Sequence, residues 1–221
     1  MMAGGEGDDV YLATERTRLQ RRPDRGRYNK AVVHRILDEA LLCHVGVAID
    51  GRPHVLPTTI VRIGEAVYLH GGANNRLLTA LAAGAPACIT VTLVDSIVAG
   101  RSGFGCSMDY RSVVIYASAE TVADPAEKAA VIAAIVQDII PGHIVRPPKD
   151  KELAATLVLR FPLTEVSAKV RDVGVLDVEE DYATDLWAGV IPLRLEAKPA
   201  VPCPRLKPRI ETPAYANSYK R

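Results

Sequence analysis

The chain has 221 residues, 48% of them hydrophobic, which suits one domain with a sizeable core and some peripheral segments. Its 27 Lys+Arg nearly cancel its 26 Asp+Glu, and aromatic residues make up only 5%, so neither a strong cationic field nor a base-stacking surface for nucleic acid is expected. No run of about 18 apolar residues offers a membrane span, the amino-terminal stretch lacks a signal-peptide core, and Cys43, Cys88, Cys106 and Cys203 are scattered as free thiols without a CxxC pair, so a cytoplasmic protein is expected.

A polar, Arg-rich lead-in covers residues 1–24. In 29–41, Val32, Val33, Ile36, Leu37, Ala40 and Leu41 recur at helical spacing behind an Asn cap, which predicts an amphipathic helix. Residues 43–49 read as a strand, Asp50-Gly51 as a two-residue hairpin turn and 54–63 as the antiparallel partner, with Pro57 marking a bulge or an edge. Residues 66–70 complete a meander too tight for crossover helices, so the sheet is mainly antiparallel. Asn74 or Asn75 caps a short helix over 76–83, and 87–99 is a long β-branched strand. After a loop over 100–109, a strand is expected over 112–122. Asp124-Pro125-Ala126-Glu127 reads as a capping box opening a helix to about Ile140.

Residues 155–170, interrupted at Pro162, are the sixth strand. Six strands with few helices favour a closed or nearly closed barrel, since an open sheet of this size would leave long apolar edges. From Arg171 the composition turns charged and then proline-rich, which predicts an extended tail, laid across a partner subunit in one arrangement.

The most informative local pattern is Tyr68-Leu69-His70-Gly71-Gly72-Ala73-Asn74-Asn75-Arg76, where a strand runs through two glycines onto a helix carrying an Arg. Unpaired helix N–H groups, a permissive Gly-Gly and a guanidinium fork make a phosphate cradle, or simply a cap and a turn. Arg101 and Arg111, at the two ends of a Gly/Ser-rich loop, clamp a dianion or stand as solvated charges, and the solvated reading is preferred, as it is for Lys169 and Arg171. Of the five histidines, His70 sits best to line a pocket, while His44 and His54 face each other across the predicted hairpin. None stands at a metal-ligand interval, and no GxSxG elbow or nucleophilic Cys site is present.

Read in order, Arg25-Gly26-Arg27-Tyr28, Asp38-Glu39-Ala40, His44-Val45-Gly46, Pro57-Thr58, Tyr68-Leu69-His70-Gly71, Asn75-Arg76, Ser107-Met108-Asp109-Tyr110-Arg111-Ser112-Val113-Val114, Ser167-Ala168-Lys169-Val170-Arg171 and Trp187-Ala188-Gly189-Val190-Ile191-Pro192-Leu193 form one ordered set. They resemble the pyridoxamine 5′-phosphate oxidase-like FMN-binding split-barrel proteins, in the branch of the nitroimidazole-resistance reductases. The resemblance covers 25–193 and leaves 194–221 as an unmatched tail. It implies a mainly β, α+β fold, a six-stranded antiparallel split barrel with flanking helices, and a homodimer with one FMN in each of two clefts between subunits. It also implies that Asn75, Arg76 and Arg111 hold the flavin phosphate, with Gly71, Tyr110 and Ser112 as further contacts. The ring would rest on Val55, Leu56, Pro57, Thr58 and Thr59 near His70, and Lys169 and Trp187 would approach from late in the chain. Asn75 stands where many relatives carry Ser, and no segment resembles the substrate-binding end of true pyridoxamine phosphate oxidases. An FMN-dependent oxidoreductase acting on a small molecule such as a nitroaromatic is therefore expected, with His70 orienting or protonating it; a flavin- or haem-binding carrier or sensor is the alternative.

Overall fold

The computed structural model describes residues 9–220, so the first eight residues of the lead-in lie outside the described residues. The elements run β1 (Gly26–Arg27), α1 (Lys30–Glu39), β2 (Leu42–Ile49), β3 (Arg52–Thr59), β4 (Val61–Ile63), β5 (Ala66–Gly72), α2 (Arg76–Ala82), β6 (Ala87–Ala99), β7 (Ser107–Ala117), β8 (Glu120–Thr121), α3 (Pro125–Ile139), α4 (Asp150–Ala154), β9 (Thr156–Pro162), β10 (Glu165–Arg171), β11 (Gly189–Pro192) and α5 (Ala214–Asn217). Local chemistry sets many of the boundaries. Asn29 caps α1 by accepting from the Val32 N–H, and Asp124 caps α3 by accepting from Ala126 and Glu127. Asp50 and Gly51, at φ 52° and 73°, have the two left-handed residues of a hairpin turn that matches strand twist.

Two sheets carry these strands. One has the order β1-β10-β7-β6-β2-β3, with β11 added on β6, and the other the order β4-β5-β9-β8. Three chain segments belong to both: β3 bends into β4 at Ile60, β7 continues into β8, and β9 continues into β10. The antiparallel pairings then form a ring, from β2 to β3–β4, β5, β9–β10, β7–β8, β6 and back to β2. This is a six-stranded split barrel, closed by bent strands, so its apolar edges are consumed in pairing.

Alternation fills the interior. Val45, Val67, Leu69, Ile89, Val91, Val113, Ile115, Leu159, Phe161 and Val166 point inward and are at most 1% exposed. Val33 and Ile36 of α1 and Leu78 and Leu81 of α2 join this cluster, while α3 covers a second one of Val61, Ala66, Tyr68, Val131, Ile135 and Val158 on the outside of β4, β5 and β9.

Three expectations need correction. The strand expected over 112–122 starts at Ser107 and ends at Ala117, because Ser107 and Met108 pair with Val98 and Ile97 on β6. Arg111 therefore lies inside a strand, not at a loop mouth. The two-residue turn sets His44 opposite Pro57 and His54 opposite Val47, so the two histidines do not face each other. The carboxy-terminal tail is largely exposed coil but folds back on its own chain at the end, where the Tyr215 hydroxyl meets His143 Nδ1 at 2.6 Å and Tyr219 donates to the Ile139 carbonyl. Pro57 does lie on an edge, since β3 pairs in its sheet with β2 alone.

Candidate functional site

The barrel is split beside β5. Its first residues pair with β4 as far as Val61–Tyr68, whereas the stretch from Leu69 to Gly72 pairs with β9 alone and diverges from β3. α2 fills the opening with Leu77, Leu78 and Leu81. Gly71 permits that approach, because a Cβ there would lie 2.8 Å from Leu78 Cδ1. Asn75 spends its side-chain oxygen on the Leu78 N–H at 3.1 Å, so what it offers a ligand is its amide nitrogen. Arg76, next in the chain, is 67% exposed and holds Asp50 by a single 3.4 Å contact. From the turn that carries Asp50 runs the free edge of β3, with Val55 and Leu56 exposed. The split thus brings Gly71, Asn75 and Arg76 together, with Arg76 reaching the β2–β3 turn at Asp50, while Val55 and Pro57 lie further along β3 on the outer face of the first sheet.

His70 stands on the same strand but faces outward with Tyr68, on the side of the second sheet against which α3 packs. Burial lowers its pKa, and its Nδ1 is buried without a hydrogen-bond partner. His54 Nε2, near the start of β3, is in the same condition.

Arg111 is elsewhere. It faces the barrel mouth at the end of α1, where it forks onto Asp95 at 3.0 and 2.8 Å and reaches Glu39 at 2.7 Å. Asp95 is free to do this because the β6–β7 register skips between Val94 and Ser96 and leaves it out of the ladder. These carboxylates hold the guanidinium further in its charged form. Arg111 lies across β6 from the start of β2 and Arg76 lies at the turn after its end, so roughly 26 Å of strand separates them. Within the chain the two arginines stand too far apart to hold one phosphate.

Tyr110, Ser112 and Lys169 form a second group on the outer face of the first sheet. The register makes ladders of this face. Val55, Gly46, Cys88 and Tyr116 form one rung, Pro57, His44, Thr90, Val114 and Ser167 the next, then Thr92, Ser112, Lys169 and Gly26, and last Val94, Tyr110 and Arg171. The face therefore grades from apolar at β3 through hydroxyls to cations at β10. Residues 16–25 of the lead-in cross it, tied by the Arg16–Glu165 ion pair and by Tyr28, which donates to the Thr17 carbonyl. Trp187, 69% exposed, stacks over Gly189 at the start of β11, where Ile191, Ile97 and Met108 line up as an exposed apolar rung. The sequence resemblance named Trp187 but not this rung, because β11 and its partner on β6 are about ninety residues apart.

A six-stranded split barrel closed by bent antiparallel strands defines the class. The chain belongs to the pyridoxamine 5′-phosphate oxidase family, whose model matches residues 29–170. Among solved structures it is similar to the flavocytochrome Anf3 from Azotobacter vinelandii, with 39% identity, a TM-score of 0.88, and coverage of 93% of this chain and 97% of that one. It is also similar to the FAD and heme binding protein from Mycobacterium smegmatis, at 31% identity and TM-score 0.83, over 86% and 95% of the two chains. A candidate 5-nitroimidazole antibiotic resistance protein from Bacteroides thetaiotaomicron shares the fold at 23% identity and TM-score 0.57, over 66% and 86%. No curated protein matches the chain.

Proposed function

We propose that this chain is a flavin-dependent redox protein, active as a homodimer, with the flavin phosphate at Arg76 and the ring along β3. The observation that carries this reading is the barrel seam. There an exposed guanidinium with one long contact to the β2–β3 turn, and the unpaired apolar edge of β3 that runs on from that turn, are both groups that a phosphorylated aromatic ligand would satisfy. Two relatives at 39% and 31% identity, named for flavin together with haem, support it. A bound flavin would accept a hydride or electrons and pass them to a small acceptor, a nitroaromatic being the first to try.

The dimer is supported by the division of the site. Tyr110, Ser112, Lys169 and Trp187 stand apart from the seam in one protomer, and the exposed Ile191–Ile97–Met108 rung gives a second copy an apolar surface to bury. In this reading the seam of one protomer is completed by residues of its partner. His70, on β5 but facing the side that α3 covers, is the candidate to position or protonate the acceptor.

A second reading adds haem, because both relatives are named for two cofactors and this chain has two buried imidazole nitrogens without partners, on His54 and His70. Absorbance of the untreated purified protein, with mass analysis of the released cofactor, tests both. Flavin bands support the first reading, an added Soret band supports the second, and a colourless protein that takes up neither FMN nor FAD overturns both. Light scattering that finds a flavin-saturated monomer overturns the shared site.

A further inference from the structure

Charge is segregated at the cationic end of the outer face, although the whole chain carries a net charge of only +1. A cleft of about 360 Å³ opens there between the lead-in, the loop at 104–107 and β10, and Arg21, Arg22, Arg25 and Lys169 line it. Among the described residues no carboxylate pairs with any of these four, whereas Arg171 beside them is already held by Asp109. Nε of Arg25 is buried without any hydrogen-bond partner, an arrangement that costs stability unless something else fills the cleft. Arg22, just ahead of Pro23, has a φ of 58°, a left-handed conformation that proline disfavours in the residue before it, so the segment is held in a strained form that brings three arginines to one spot.

The opposite charge stands close by in the chain. Leu176 lines the cleft, and shortly after it the turn at Glu179–Ala183 carries Glu179, Glu180 and Asp181, with which, among the described residues, no cation pairs. The root of that turn is fixed. The buried Asp177 carboxylate accepts from the Arg101 backbone N–H at 3.0 Å and from its guanidinium at 3.1 Å, and the Arg101 guanidinium lies 4.8 Å from the centre of the Tyr182 ring. The acidic turn is thus pinned to the loop that walls the cleft without pairing with its own chain's arginines. The same stretch leaves Leu176, Val178, Tyr182, Leu186 and Trp187 exposed, and Phe104 on the loop is fully exposed. Large apolar and aromatic side chains exposed together mark a protein interface. A surface that sets an unpaired acidic turn next to an unpaired cationic cleft is complementary to itself, so the partner it fits is a second copy of this chain. We propose that in the homodimer the Glu179–Glu180–Asp181 turn of each protomer docks in the Arg21–Arg22–Arg25 cleft of its partner, as two equivalent clasps around the exposed apolar residues. The inference rests on the homodimer of the reading above and adds to it the interface and the charges that select a second copy.

The test uses two variants at exposed positions whose replacement spares the core, Arg21→Glu/Arg22→Glu and Glu179→Lys/Glu180→Lys, each of which makes both clasps like-charged. Sedimentation velocity over a range of protein and salt concentrations gives the dimer dissociation constant, and circular dichroism checks the fold. Wild type is expected to be a dimer whose dissociation constant rises by roughly tenfold between about 0.05 and about 0.5 M NaCl, as the charge pairing is screened. Each variant alone is expected to self-associate at least about 100-fold more weakly, because like charges set against each other at an interface repel. Mixed in equal amounts, the two variants are expected to recover the wild-type dissociation constant, since the reversed cleft of one chain then meets the reversed turn of the other and the second clasp keeps its native charges. A variant that dimerises as well as wild type overturns the inference and leaves the homodimer standing. Variants that dissociate and fail to recover on mixing also overturn it, because the charges then act within one chain. If a reversal disturbs the fold, Arg21→Gln/Arg22→Gln replaces it, with a loss of about tenfold expected and an unchanged constant overturning the inference. A wild type that is monomeric at every concentration overturns both the clasps and the homodimer, whatever flavin it carries.

Discussion

Arg76 and Arg111 carry the same guanidinium to the two ends of β2 and live in opposite circumstances. Arg111 is clasped by Asp95 and Glu39 at the barrel mouth, whereas Arg76 stands in solvent with one long contact to Asp50. An arginine satisfied by two carboxylates organises structure, because a phosphate could bind it only by displacing partners already in place. An arginine left nearly free at the β2–β3 turn is available to a ligand. In the proposed reading the two residues do different jobs, although the family resemblance gives both to the flavin phosphate.

Replacing Arg111 is the most disruptive way to break this comparison. Arg111→Ala is expected to cost about 2 kcal/mol in a urea titration, since it leaves Asp95 and Glu39 repelling each other at a half-buried mouth and removes their shared donor. Flavin affinity of the protein that remains folded should stay within about threefold. An unchanged urea midpoint with a tenfold weaker flavin would reverse the assignment.

That division of labour could not be read from the chain alone, and the reason is physical. The caps at Asn29 and Asp124, the Asp50-Gly51 turn and the strand over 87–99 are local chemistry, and all appear where the residues indicate. The start of β7, the addition of β11 and the bulge at Asp95 come from pairing between segments far apart, so local patterns are silent about them. The same holds for the site. The residue types at Arg76, Arg111, Lys169 and His70 were visible, but which of them converge depends on how three bent strands close the ring.

A gentler probe works at the other end of β2. Arg76→Ala is expected to weaken FMN or FAD by about tenfold, or about 1.4 kcal/mol, while riboflavin, which lacks the phosphate, binds as before. Thermal stability should move by less than about 0.5 kcal/mol, as for most exposed ion pairs. Loss of riboflavin binding in parallel would mean that Arg76 shapes the seam and does not touch the phosphate.

The smallest expected effect concerns His70, which stands between the two kinds of residue: largely buried like Arg111, yet with a buried Nδ1 that has no hydrogen-bond partner. Burial lowers its pKa from 6.5, so in the folded chain it stays neutral at a pH where the unfolded chain has bound a proton. The unfolded state then binds more protons, and stability must fall as pH drops below 6.5, by up to about 1.4 kcal/mol per unit for one group until the folded imidazole also titrates. His34 is lowered too, through burial and then Arg62, so the acid loss in wild type is shared between the two. His70→Asn should remove one share and flatten the stability profile on the acid side of pH 6.5. If His70 also serves the flavin, turnover per bound flavin should carry a titration in the same range that His70→Asn lacks. A variant that flattens the stability profile and keeps the wild-type turnover profile would make His70 a buried structural imidazole only. A variant that changes neither would contradict the burial from which its shift was read.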